Sequence, residues 1–223
     1  MEQHTKEPQY DPCLELAAKN RASFGLMSNF TWHDDPKRLV FLLARYKFAA
    51  KMMSGLNRVL EVGCADAFGT RIVVQEVKAL TACDFDPVFV EDVKQRMDPK
   101  WKFDCVLHDM MAGPVPGGFD GAYSLDVIEH IPAAQEELFI GNFVRSLNTT
   151  GICVVGTPSL NSQAYASLGS KLGHINCKDA PGLKALMGKF FHNVFIFSMN
   201  DEVVHTGFYP MAHYLLALCC NKK

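Results

Sequence analysis

The chain has 223 residues, 48% of them hydrophobic and 21% charged, the balance of an ordinary globular domain with a sizeable core. A formal net charge of −2 offers no basic surface for a polyanion, so nucleic acid is not an expected partner. No apolar run reaches the ~18 residues of a membrane span, and the polar start "MEQHTKEPQYDPC" is unlike a secretion signal, so a cytoplasmic location is expected.

Residues 1–57 precede any strand pattern and read as an N-terminal helical cover segment, ahead of one domain over 58–223. Within the cover, "HDDPKRLVFLLARYKFAAKMM" predicts a helix with Asp34 or Asp35 as N-cap and Pro36 in its first turn. Leu39, Leu42, Leu43, Tyr46 and Ala50 recur at helical spacing and give it one apolar face, expected to lie over the mouth of a sheet.

From residue 58, strands and helices alternate. The strands are "RVLEVG", "ALTACD", "FDCVLHD", "FDGAYSLD" and "GICVVGTP"; helices are predicted from Thr70, from Pro87 ("PVFVEDVKQRM") and from Pro132 ("PAAQEELFIGNFVRSL"). Both prolines suit a first helical turn, where a missing amide donor costs nothing. Such alternation predicts an α/β fold: a mostly parallel sheet with helices on both faces. Near the end, "NVFIFSMNDEVV" and "AHYLLALCC" are joined by a link too short for a parallel crossover, so they should pair antiparallel at the sheet's edge. The eight cysteines include no C-x-x-C pair and several sit in strand-like runs, which predicts reduced, buried thiols and no zinc site of the usual spacing.

The turn after the first strand, "EVGCADAFG", carries Glu61, Gly63, Ala65 and Gly69. A dinucleotide-binding turn wants G-x-G-x-x-G, with its third glycine beside a pyrophosphate. Here Phe68 holds that third place and the next glycine comes one residue late, which suits a nucleoside without a pyrophosphate. Gly63 and Ala65 let backbone approach a ligand closely, and with alanine in place of glycine the backbone at 65 is expected to be the less contorted. Asp84 ends the second strand, where a carboxylate can accept ribose hydroxyls, and Phe85 beside it can stack on a base.

This turn, an acidic residue ending strand two, and then "FDGAYSLDVIEHIP" resemble the class I S-adenosylmethionine-dependent methyltransferases, and within them the ubiquinone-biosynthesis-like small-molecule enzymes. The resemblance covers residues 39 to about 160. It implies a Rossmann-like seven-stranded sheet with a reversed terminal strand, and S-adenosylmethionine as cofactor. It also implies that Glu61 shapes the turn by accepting backbone hydrogen bonds, that Asp109 accepts from the adenine amino group, and that Met110 offers an amide and an apolar wall. Ser124 and Leu125 would give backbone contacts to the methionine portion. Arg45 on the covering helix is a candidate for the cofactor's carboxylate, and Tyr46 and Trp32 for the sulfonium or the substrate.

An alcohol acceptor must lose a proton, and His130, closing "SLDVIEHIP", is the candidate base. Asp126, Glu129 and His130 fall at i, i+3, i+4, one face if the segment is helical. Ubiquinone-type O-methyltransferases hold a divalent ion with a similar D/E-x-x-E-H pattern, so the resemblance implies Mg²⁺ there as the alternative; a packed structural histidine is the third reading. His174, Asn176, Asn200, Glu202 and His205, polar residues among apolar runs, are candidates for substrate recognition.

The expected activity is methyl transfer to a small molecule, chiefly at a hydroxyl oxygen, with a homodimer as the assembly to test for. The N/D-P-P-Y/F tetrapeptide of amino-group methylators is replaced by "SLDV", which disfavours protein and nucleic-acid methylation; nitrogen or carbon acceptors on small molecules stay open as the alternative. The rivals are an NAD-dependent oxidoreductase and a non-catalytic methyltransferase-like partner protein.

Overall fold

The computed structural model describes residues 3–223. Helices α1 (Asp11–Lys19), α2 (Leu26–Asp34) and α3 (Lys37–Met53) precede β1 (Arg58–Val62). The chain then runs through α4 (Thr70–Val74), β2 (Ala79–Asp84), α5 (Pro87–Gln95), β3 (Asp104–Leu107), β4 (Phe119–Leu125), α6 (Glu136–Arg145) and β5 (Leu147–Pro158). It closes with α7 (Leu168–Gly173), α8 (Ala180–Gly188), β6 (Phe191–Asn200), β7 (Val203–His205) and β8 (Tyr214–Lys222).

The sheet has eight strands in the order β3-β2-β1-β4-β5-β8-β6-β7. β1 to β5 are mutually parallel, and β8 runs antiparallel between β5 and β6. The expected reversed strand is present as β8, paired antiparallel with β6. The edge is taken by β7, a short strand split from the predicted "NVFIFSMNDEVV" run by a turn at Asp201, and it makes the eighth strand. Each face carries its own core. Ala49, Ala50 and Met53 of α3, Val73 of α4 and Val90 and Val93 of α5 cover one face. Phe139, Ile140 and Phe143 of α6 with Leu183, Leu186 and Met187 of α8 cover the other. Among the described residues, no helix is long and apolar enough to cross a membrane.

Local chemistry moves several boundaries. Asp34 ends α2 and pairs with Arg38, while the Asp35 carboxylate accepts from the Lys37 amide at 3.3 Å, so the helix opens without a conventional cap. Pro132 does not begin α6. Residues 132–135 form a turn closed by the Gln135 amide on the Pro132 carbonyl at 2.8 Å, and the helix starts at Glu136. α3 does more than cover the mouth of the sheet: its C-terminal half is part of one core layer, and Arg45 reaches Asp126 just past the end of β4. All eight cysteines are free, and Cys64, Cys83, Cys105, Cys153 and Cys219 are buried.

Candidate cofactor and acceptor site

A cleft of ≈ 520 Å³ opens at the C-terminal ends of β1, β2 and β4, lined by Gly63, Ala65, Asp84, Phe85, Asp109, Met110, Asp126 and His130 among others. Strand order reverses between β1 and β4, which is where open parallel sheets take their ligands.

The turn under the cleft is more contorted than its sequence promised. Gly63, Ala65 and Ala67 have φ of 76°, 45° and 50°, so two alanines sit in the left-handed region that glycine tolerates. The expectation of a relaxed backbone at Ala65 is therefore wrong; such residues cost of order ~1–3 kcal/mol each and persist only where surroundings hold them. The holding groups are visible. The Gly63 and Cys64 amides both donate to the Cys83 carbonyl, at 2.9 and 3.1 Å, and the Ala65 amide donates to Asp84 at 2.8 Å. Buried Asp66, a residue the motif leaves unspecified, accepts from the Ser28 amide and hydroxyl at 2.7 and 2.8 Å and from Phe68 at 3.2 Å. That clamp ties α2 onto the turn. A Cβ on Gly63 would stand 2.3 Å from Cγ2 of Val127 on the opposite wall.

Glu61 does not meet backbone amides as expected. It is buried below the turn, where Tyr46 and Tyr123 hydroxyls donate to it at 2.8 and 2.7 Å and Thr70 at 2.6 Å. Burial lifts its carboxyl from the ordinary 4.5 to about 7, against the three hydroxyl donors that favour its charge. Tyr46 is thereby committed to the core, and its ring lies where a Cβ on Gly69 would fall, at 2.3 Å. Trp32 stacks on Phe24 at 5.5 Å between ring centroids.

Asp84 is 6% exposed, and its two oxygens accept from Ala65 and, at 3.0 Å, from Asp86. Each oxygen keeps a lone pair for a further donor. Phe85 beside it is 74% exposed, an apolar ring open to the cleft. Asp109 accepts from the Met111 amide at 2.8 Å, and the Met110 carbonyl is held by Asn142. A carboxylate with spare acceptor capacity, an open ring and an apolar wall fit the ribose and base of a nucleoside.

Ser124 and Leu125 face away from the cleft. The Ser124 hydroxyl donates to the Val62 carbonyl at 3.0 Å and Leu125 is in the core, so the lining on β4's end comes from Asp126 and Val127. Arg45 Nη1 donates to both Asp126 oxygens at 2.7 Å, and its guanidinium lies over the Tyr214 ring at 3.9 Å. Burial works against its charge, but Asp126 prevails and raises it above its ordinary value. Arg45 thus reaches the site's edge through Asp126, whose φ of 59° is itself left-handed.

Asp126, Glu129 and His130 do not share a helical face. Ile128–His130 is a single 3₁₀ turn, and Asp126 is turned off by its positive φ and bound to Arg45. The residue that joins Glu129 and His130 is instead His174, whose ring meets His130 edge-on at 5.4 Å. His130 Nδ1 contacts the Gly173 carbonyl at 2.8 Å; a carbonyl only accepts, so Nδ1 carries the proton and Nε2 keeps a lone pair. Glu129 is fully buried, and burial lifts its carboxyl to about 8. Desolvation, with His130 beside it, lowers His174. Asn176 is a tie-point: its side-chain amide donates to Ile131 and Glu136 at 3.0 and 2.8 Å, and Lys178 holds its oxygen. His205 bonds Asn200 at 2.8 Å within the β6–β7 edge, remote in the sheet order from the cleft strands.

Residues 59–151 match the family model described as "Methyltransferase domain". Curated protein sequences give no match. Solved structures do. The N-methyltransferase NodS from Bradyrhizobium japonicum WM9, in complex with S-adenosyl-L-homocysteine, superposes with a TM-score of 0.61 at 18% identity, covering 94% of this chain and 97% of that one. The putative methyltransferase bound to the Haloferax volcanii Trm112 activator gives 0.67 at 11% identity, over 90% and 100%. DhpI, in a complex with SAM and HEP, gives 0.62 at 12%, over 95% of each chain. None of these narrows the chain to the ubiquinone-biosynthesis-like group. Residues 59–151 thus match a methyltransferase domain, in a chain whose fold is that of the methyltransferase structures it superposes on.

Proposed function

We propose that this protein transfers a methyl group from S-adenosylmethionine to a hydroxyl oxygen of a small molecule: a sugar, sugar nucleotide, natural-product intermediate or quinone-type phenol. The supporting observation is the pairing, in one cleft, of a nucleoside-shaped end at Asp84, Phe85 and Met110 with an acceptor end at His130. When bound, the cofactor supplies a methyl group made electrophilic by its sulfonium. The protein's part is alignment and exclusion of water. Asp84 receives the ribose hydroxyls, Phe85 and Met110 hold the base from its faces, and Asp109 takes its amino group. Gly63 and Ala65 bring backbone up to the amino-acid portion. His130 Nε2 offers its lone pair to the acceptor's proton. Since NodS is by name an N-methyltransferase, a small-molecule amine is the second reading.

Asp84 gives the direct test. S-adenosylmethionine and its demethylated product should each raise the thermal midpoint, as any native-state ligand does. Asp84→Ala should weaken either by about 1.5–3 kcal/mol, the cost of a hydrogen bond to a charged group. Asp84→Asn, which keeps an acceptor for the Ala65 amide, should weaken it less. Calorimetry showing no binding of either molecule to the unmutated protein would sink the assignment.

A further inference from the structure

The edge of the sheet that carries the cleft continues beyond it. Leu125, the last residue of β4, pairs with Gly156 of β5, and Pro158 of β5 and Met199 of β6 both pair with Tyr214 at the start of β8. The loops over the ends of β5, β6 and β8 therefore stand on the same side of the sheet as the acceptor end of the cleft.

Those loops hold a row of linked polar side chains. The His130 ring meets His174 edge-on, and His174 Nδ1 donates to the Gln163 side-chain oxygen at 3.0 Å. Gln163 lies in a 3₁₀ stretch, Leu160–Tyr165, tied to the start of β8: the Ser159 amide and the Ser162 hydroxyl donate to the His213 carbonyl at 2.9 and 3.0 Å. The His213 ring nitrogen stands 3.6 Å from the exposed Asp201 carboxylate. Beside Asp201, the Asn200 amide nitrogen donates to the Met211 carbonyl at 2.9 Å, so its oxygen accepts from His205 Nε2 at 2.8 Å. His174 and His205 each spend one ring nitrogen within the row and keep the other as an acceptor. Thus His205, three strands from β4, is joined to the cleft by a chain of neighbours rather than by sheet order.

Two aromatic rings flank the row and face solvent. Tyr165, which closes the first 3₁₀ stretch, is 91% exposed, and Phe208, just before a second one at Tyr209–Met211, is 70% exposed; the two stretches touch. Charge narrows what such a surface can hold. Residues 159–176 and 200–213 contain one lysine or arginine, Lys171, which donates to the Ala164 carbonyl at 3.3 Å, and two acids, Asp201 and Glu202. A phosphate would find no arginine fork there and would meet the two carboxylates. Hydroxyl groups, which both donate and accept, match imidazoles, amides and a carboxylate. The apolar C–H face of a pyranose ring matches an open aromatic face. From β4 to β6 the edge spans three strand spacings, about 14 Å, longer than one such ring.

We propose that the row from His174 to His205, flanked by Tyr165 and Phe208, is a binding track for an uncharged saccharide of more than one unit. This rests on His130 being the acceptor end, and it selects among the acceptors of the proposed function: one sugar hydroxyl lies at His130 and the other rings lie along the track.

The test is binding of maltotriose, cellotriose and tri-N-acetylchitotriose to the full-length protein, with and without S-adenosylhomocysteine, by saturation-transfer NMR at millimolar concentration. At least one should bind, and more tightly than its own monosaccharide. UDP-glucose should bind no better than glucose. Tyr165→Ala and Phe208→Ala should each weaken trisaccharide binding by ~3–10-fold, the range of a lost ring contact. Both side chains are exposed, so neither variant should lose its fold. Leu168→Ser, on α7 outside the row, should bind as the unmutated protein does. Absence of binding by all three trisaccharides in both conditions overturns the proposal, as does full binding by a Tyr165→Ala, Phe208→Ala double variant. Preference for UDP-glucose over every trisaccharide overturns it in favour of a nucleotide acceptor. Co-sedimentation with phosphatidylcholine vesicles in place of saccharide binding overturns it in favour of a lipid surface at the exposed Leu168 and Leu172. Neither turnover nor cofactor affinity is read, so failure here leaves the methyl-transfer reading standing, and failure of the Asp84 test leaves the track.

Discussion

His130→Ala should lower the maximal rate of methyl transfer by roughly 10²–10⁴-fold, the range for losing a group that handles the reacting proton. Under the proposed function cofactor affinity should hold, because His130 is assigned to the acceptor and Asp84 and Phe85 to the nucleoside. Two properties of His130 are lost together in this variant: the Nε2 lone pair and the Nδ1 tether to Gly173. Asparagine separates them. Its side-chain amide nitrogen falls near Nδ1 and can keep the tether, while nothing replaces Nε2. His130→Asn should therefore be nearly as slow as the alanine variant. A near-normal rate for asparagine would mean that His130 acts only by anchoring the 173–176 loop. The proton would then leave by another route, with His174 the next residue to change.

A second large effect should appear as a dependence of folding stability on pH. Glu61 is buried among Tyr46, Thr70 and Tyr123, and its carboxyl stands at about 7 in the folded chain against 4.5 ordinarily. The folded form thus keeps a proton that the unfolded form has released anywhere between those values. Glu61's contribution to stability is full below about pH 4.5 and is lost as pH rises through 7. The difference corresponds to about 3 kcal/mol at most. Glu61→Gln cannot ionise, so urea unfolding at pH 5 and pH 8 should show a smaller drop for the variant than for the unmutated protein. Equal drops would show that Glu61 titrates normally and that its surroundings are wetter than the structure has them. Because Thr70 opens α4 directly behind the cofactor turn, the same protonation should tune how firmly that turn is held.

What the sequence carried best was periodic or local. Alternating apolar strands and the helix opened by Pro87 specified the α/β layers, and the ends of β1, β2 and β3 delivered Gly63, Asp84 and Asp109 to one cleft. The poorer expectations all concern partners distant in the chain. Nothing near Asp126 announces that Arg45, 81 positions earlier, will occupy its carboxylate. Nothing near His130 announces His174, whose approach depends on the loop that follows α7. Glu61 looked like a turn-former because its neighbours are turn residues; its actual donors are side chains on α3, α4 and β4. Ala65 was misjudged for a related reason. Residue type states what a backbone prefers, while Asp84 and Asp66, fixed by other elements, dictate what it adopts.

The central position of β8 bears on how the molecule is made. It follows both of its neighbours in the sequence, yet β5 and β6 are joined only through it. While residues 214–222 are still inside a ribosome's exit tunnel, the nascent chain can assemble β1 to β5 but has no seat for β6. The exposed flank of β5 must wait for a partner synthesised more than fifty residues later, and such unpaired flanks invite aggregation. Chaperone demand should accordingly last until β8 emerges, and deleting residues 214–222 should open the sheet in the middle while leaving β1 to β4 paired.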